Sequence, residues 1–147
     1  MIMVASKKHT LLCEQGGKWL KKHERNIEIP NCSTIAIDMT TIEFETPDII
    51  GWNSTSSIMI EVKISRSDFK KDKLKKFRIE PEKGVGEYRY YLSPTNLIKE
   101  NEIPDKWGLL YFNDDGKIDI IKLSEYQPSN LKAERNMLLS LIRRIKK

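Results

Sequence analysis

Two apolar, β-branched runs, IEFETPDIIG (42–51) and SIMIEVKI (57–64), flank the polar tetrad Asn53-Ser54-Thr55-Ser56. Runs of this kind on either side of a short polar turn predict a β-hairpin. Side chains alternate along a strand. Ile58, Ile60, Val62 and Ile64 therefore share one face, while Ser57, Met59, Glu61 and Lys63 share the other. A loop at 53–56 pairs Trp52 with Ser57, and the same register puts Asp48 opposite Glu61. Facing side chains have Cβ atoms about 4.5–5.5 Å apart, and like charges there repel. A divalent cation offsets such repulsion, because hard ions bind carboxylate oxygens. An ion held by Asp48 and Glu61 would lower the pKa of a bound water and neutralise a phosphoryl oxygen. Lys63 would orient that water or steady developing negative charge. The same three residues also describe a solvated face of an edge hairpin, with Glu61 and Lys63 as a weak exposed pair.

The other elements set the class. Residues 9–23 carry Leu12, Gly16, Trp19, Leu20 and His23 at helical spacing. Ile27 and Ile29 suggest a short strand, and residues 33–38 another. Ser65 or Ser67 can cap a helix over DFKKDKLKKFR. EYRYYLS (87–93) reads as a strand, and WGLLYF and KIDIIKL flank the turn Asn113-Asp114-Asp115-Gly116 as a second hairpin. Leu131, Met137, Leu138, Leu141, Ile142 and Ile145 form the apolar stripe of a last helix. The order of helix, strands, helix, strands, helix predicts an α+β class. No repeat or linker interrupts the 147 residues, so one domain, 1–147, is expected.

Charge is uneven. The chain carries a net +5, yet Arg66–Arg78 alone holds seven basic residues against two acids, and Lys132–Lys147 six against one. Two basic segments on an otherwise acidic body suggest a polyanion footprint, although solvated helix faces look the same. No run reaches the length of a membrane span, and the N-terminus lacks a signal-peptide pattern, so no membrane contact and a cytoplasmic location are expected. The two cysteines, Cys13 and Cys32, form no CxxC pair. No zinc site is expected from them, and His9 and His23, 14 residues apart, are read as surface residues.

The stretch resembles the PD-(D/E)XK nuclease superfamily. Pro47-Asp48, twelve residues, then Glu61-Val62-Lys63 fits its motif, including the proline. The chain is more closely similar to small bacterial and phage-associated nuclease-like proteins of that superfamily, some grouped with DNA repair. Trp19-Leu20, Pro47 to Trp52, Glu61 to Lys73, Tyr88 to Leu92 and Ile103 to Leu110 carry that likeness. The resemblance implies a restriction-endonuclease-like αβββαβ core within a mixed sheet flanked by helices. The predicted C-terminal β-hairpin and helix extend it. It implies a Mg²⁺- or Mn²⁺-dependent enzyme that hydrolyses DNA, with Asp48 and Glu61 as metal ligands and Lys63 as the catalytic lysine. Many relatives add an acid from the first helix, which makes Glu14 a further candidate ligand and Asp38 its alternative. Arg66, Ser67, Lys70, Lys71, Lys73, Lys75, Lys76 and Arg78 are the expected DNA face. The alternative is a nucleic-acid-binding module with this fold and little turnover. The last helix, with Arg143, Arg144, Lys146 and Lys147, would bind phosphate or pack in a homodimer.

Overall fold

The structure, a computed structural model, describes residues 6–23, 28–39 and 45–145. Ile27, the 42–44 end of the expected strand, Lys146 and Lys147 lie outside the described residues.

The chain is α+β, with one six-stranded mixed sheet between helices. Ser6 caps α1 (Lys7–Lys21) by accepting a hydrogen bond from the His9 amide. Strands β1 (Thr34–Ile37), β2 (Ile49–Trp52) and β3 (Ser57–Val62) form an antiparallel meander. Helices α2 (Arg66–Asp72) and α3 (Lys76–Ile79) then cross to β4 (Tyr88–Pro94), which runs parallel to β3. Strand β5 (Gly108–Phe112) is parallel to β4, and β6 (Ile118–Lys122) returns antiparallel. Helix α4 (Leu131–Ile145) ends the fold. The sheet order is β1-β2-β3-β4-β5-β6. The observed succession α1-β1-β2-β3-α2-α3-β4 has the expected αβββαβ order with the crossover helix split in two, and the hairpin and helix follow it.

Alternation was expected to bury one face of β3, but the strand is buried along its whole length. It is central in the sheet, so each face has its own cover. Ile58, Ile60 and Val62 join Leu12, Cys13 and Leu20 of α1. Met59 and Tyr91 join Phe69 of α2, Trp107, and Ala133 and Met137 of α4. A fully buried leucine such as Leu12 or Leu20 contributes about 1.5–3 kcal/mol of transfer free energy. Helix α1 sits close because Gly16 has no side chain. A Cβ there would fall 2.7 Å from Ile49 Cδ1 and 2.9 Å from Leu92 Cδ2.

Two expected elements differ. The strand over 42–51 begins only at Ile49 among the described residues. Pro47 has no N–H for a ladder, and Glu45 turns inward to Arg78. The single helix over 68–78 starts at Arg66, capped by the Ser65 hydroxyl, and breaks between Asp72 and Lys76. The break lets Arg78 fold back onto Asp72. The last helix is tied down by one buried acid. Glu134 accepts hydrogen bonds from Trp52 Nε1, Ser57 Oγ, the Gly86 amide and Ser129 Oγ. These bonds join α4 to the hairpin and to the entry of β4.

Candidate active site

The hairpin has the expected register. Trp52 pairs with Ser57 and Ile49 with Ile60, so Asp48, one step further, stands beside Glu61. Two hydrogen bonds fix the crossing. The Asp48 amide donates to Glu61 Oε1 at 3.2 Å, and the Val62 amide donates to Asp48 Oδ2 at 2.9 Å. Glu61 is 4% exposed. Burial pushes its carboxyl up, the neighbouring Asp48 charge adds to this, and Arg78 only partly offsets both, leaving it at about 8.

Lys63 lies on the same face of the chain. Its Nζ is 3.9 Å from Glu61 Oε2 and 3.2 Å from Asp72 Oδ1, with the side chain 10% exposed. Asp72 is fully buried and receives Arg78 Nε at 2.8 Å, Lys75 Nζ at 3.0 Å and the Tyr91 hydroxyl. Burial alone would raise this carboxyl, but Arg78 and Lys63 outweigh it and hold it well below the usual range. Arg78 also reaches Glu45 at 2.5 Å and Glu61 at 3.9 Å, and its guanidinium stacks 4.6 Å from the Trp107 ring centroid.

The expected DNA face divides. Arg78 does not lie on it, because its side chain is 2% exposed and neutralises Glu45 and Asp72. Arg66 is exposed but clasps Glu102 through both terminal guanidinium nitrogens, at 2.9 and 2.5 Å. Ser67, Lys70, Lys71, Lys75 and Lys76 are exposed. Lys73 is half-buried over the Phe69 ring. Of the two candidate third acids, Glu14 is exposed and lines a shallow cleft with Gly17, Lys18, Ile35 and Ile37. Asp38 is fixed next to Asp48 by backbone, its amide donating to the Asp48 carbonyl at 2.8 Å, while its residue is exposed.

The α1 groups that gather at Asp48 are instead His9 and Cys13. His9 Nε2 is 3.5 Å from Asp48 Oδ2, and Cys13 Sγ is 3.7 Å from His9 Nδ1. His9 is thus half-buried against an acid rather than a plain surface residue, and one donor atom from each of the three lies within 4.8 Å of the others. Cys13 is buried, and its thiol is pushed up to about 12 by burial and by the Asp48 and Glu61 charges. The sequence carried a signal for this cluster in the i, i+4 spacing of His9 and Cys13, which puts both on one helix face.

The carboxylate pair fits a hard divalent ion. It offers two adjacent oxygen donors, the donor type such an ion takes, and the ion's charge would favour the ionised form of Glu61 that burial opposes.

No protein-family model matches the chain, and no curated protein matches it. Among solved structures, a protein of unknown function from Silicibacter pomeroyi is similar, with 20% identity, a TM-score of 0.55 and 76% of each chain covered. That likeness concerns the fold. No helix among the described residues is long and apolar enough to cross a membrane.

Proposed function

We propose that the protein is a PD-(D/E)XK-type nuclease that hydrolyses phosphodiester bonds in DNA with Mg²⁺ or Mn²⁺, in the cytoplasm. The observation that carries this reading is the Asp48–Glu61 crossing, with Lys63 Nζ 3.9 Å from Glu61. Asp48 and Glu61 would hold the ion, which supplies an activated water and charge neutralisation at the phosphoryl group. Lys63 is held between two carboxylates, so its ammonium is already placed and need not be ordered during the reaction. It orients the attacking water and steadies charge on the transferring phosphate. The lysines of α2 and α3 hold the flanking phosphates, and each phosphate neutralised releases condensed counterions.

A second reading rests on one specific contact. Arg78 stands 3.9 Å from Glu61 Oε2, so a protein cation already offsets part of the charge that a metal would neutralise. A module that binds DNA with little turnover would look the same.

Purified protein incubated with Mn²⁺ and linear, nicked, supercoiled or single-stranded DNA separates the two. Cleavage by the wild type and its loss in Glu61→Ala and Lys63→Ala support the enzyme. Binding by all three without cleavage overturns it and leaves the module.

A further inference from the structure

Beside the carboxylate pair stand an imidazole and a thiol that it does not use, and both gather at Asp48, whose Oδ2 also accepts a hydrogen bond from the Val62 amide. We propose that His9, Cys13 and Asp48 bind a thiophilic divalent transition-metal ion, for which Zn²⁺ is the best match.

Helix geometry supplies the first two donors. Positions i and i+4 stand one above the other on one face, and that face of α1 is seated on the sheet by Leu12 and Gly16. The third donor comes from the hairpin, so the cluster spans two elements that the fold already holds together. Zn–S bonds are about 2.3 Å and Zn–N and Zn–O bonds about 2.0–2.2 Å, so tetrahedral neighbours sit about 3.3–3.7 Å apart. The ring nitrogens of His9 stand 3.5 Å (Nε2) from Asp48 Oδ2 and 3.7 Å (Nδ1) from Cys13 Sγ, and one ligand atom from each of the three residues lies within 4.8 Å of the others, so a small inward shift brings the set to these edges. The two contacts use different ring nitrogens, so a rotation of the imidazole brings one nitrogen onto the ion.

The chemistry of the donors selects the ion. Thiolate and imidazole favour Zn²⁺ and its neighbours, whereas Mg²⁺ takes oxygen. On binding, the Cys13 S–H bond breaks, its proton passes to solvent and a metal–sulfur bond forms. No oxidation is involved. Three protein ligands leave a fourth position open.

Asp48 belongs to both sites. An ion on His9 and Cys13 draws one carboxylate away from the pair. Zn²⁺ therefore inhibits Mg²⁺-supported cleavage, a consequence that rests on the nuclease reading. Occupancy of the site does not rest on it.

The test is a Co²⁺ titration of the full chain without DNA. A thiolate-to-cobalt charge-transfer band saturating at one ion per chain, and displaced by Zn²⁺, is expected. Cys13→Ser should abolish the band. His9→Ala should weaken binding by at least the roughly 10–100-fold typical of lost ligand support. Cys32→Ser and Glu61→Gln should leave the band in place.

The unmutated chain gives a second readout. Zn²⁺ should slow alkylation of Cys13 and leave the rate at Cys32, also buried, unchanged. No band, a band that survives Cys13→Ser, or equal labelling of the two cysteines with and without Zn²⁺ overturns the site. A chain that binds Co²⁺ through Cys13 but never cleaves DNA keeps this inference and rejects the nuclease. A chain that cleaves without the band does the reverse.

Discussion

Glu61 and Asp72 are both buried carboxylates, and the same two cations, Lys63 and Arg78, touch both of them. Lys63 is 3.2 Å from Asp72 and 3.9 Å from Glu61. Arg78 is 2.8 Å from Asp72 and 3.9 Å from Glu61. Coulomb attraction rises as separation falls, and Asp72 adds Lys75 and the Tyr91 hydroxyl. The positive charge is therefore spent on Asp72, whose carboxyl is held low, while Glu61 is pushed high beside Asp48. One acid is a structural anchor and the other is left short of positive charge. Sequence position does not distinguish them, since each sits a few residues from a lysine. The distances do.

The largest expected effect breaks the anchor. Asp72→Asn takes one buried acid from Arg78, which keeps Glu45 at 2.5 Å, and the nearest acid from Lys63, which keeps Glu61 at 3.9 Å; breaking a buried pair in this way costs up to about 3–5 kcal/mol at neutral pH. Because the folded carboxyl lies below its unfolded value of 3.8, the stability it contributes is present above that value and lost as pH falls. Urea unfolding of wild type and variant should therefore converge in acid, and a constant gap between them would reject this account of Asp72.

Glu61 should behave in the opposite way. Glu61→Gln replaces a carboxyl that burial and Asp48 already hold largely protonated near neutral pH, so its urea midpoint should stay level or rise while cleavage falls. Lys63→Ala should lower cleavage by about 10²–10³-fold, the range for removing one preorganised charge-stabilising donor. A Glu61→Gln chain as unstable as Asp72→Asn would erase the contrast between the two acids.

Smaller effects probe the basic segment. Lys71 is exposed, whereas Lys75 already has Asp72 at 3.0 Å. Lys71→Ala should flatten the salt dependence of DNA binding by about 0.9 in log–log slope, and Lys75→Ala by less. Equal changes would show that the ion pair does not hold Lys75 back from phosphate. Smallest of all, Lys73→Ala should cost about 0.5–1 kcal/mol through loss of its contact with the Phe69 ring, measured by thermal unfolding.

The hairpin register was legible because it depends on local quantities: a period of two, a short polar loop and repelling acids that limit the options. Arg78 was not. Seven basic residues in one run look alike, and only the helix break after Asp72 and the approach of Glu45, 33 positions earlier, remove one of them from the surface. His9 was missed for a similar reason. Its spacing to the other histidine says nothing, and its acid partner lies 39 positions away by number. A helical i, i+4 pair marks a face, but only tertiary packing says what that face meets. Glu14, one residue past Cys13, illustrates the same limit, since about 100° of helical turn separates neighbours and leaves it on the exposed side.

The missing side chain at Gly16 sets a mechanical tolerance. Helix α1 rests on Ile49 and Leu92 with less than a methyl of clearance, so the residue works as a depth stop for the whole helix. Raising the stop by one carbon would press on the terminal methyls of Ile49 and Leu92, which can turn aside; a bulkier residue would instead lift the helix and carry His9 and Cys13 away from Asp48. The first symptom of such a residue would then be a loosened grip on the proposed ion, in a chain that still folds.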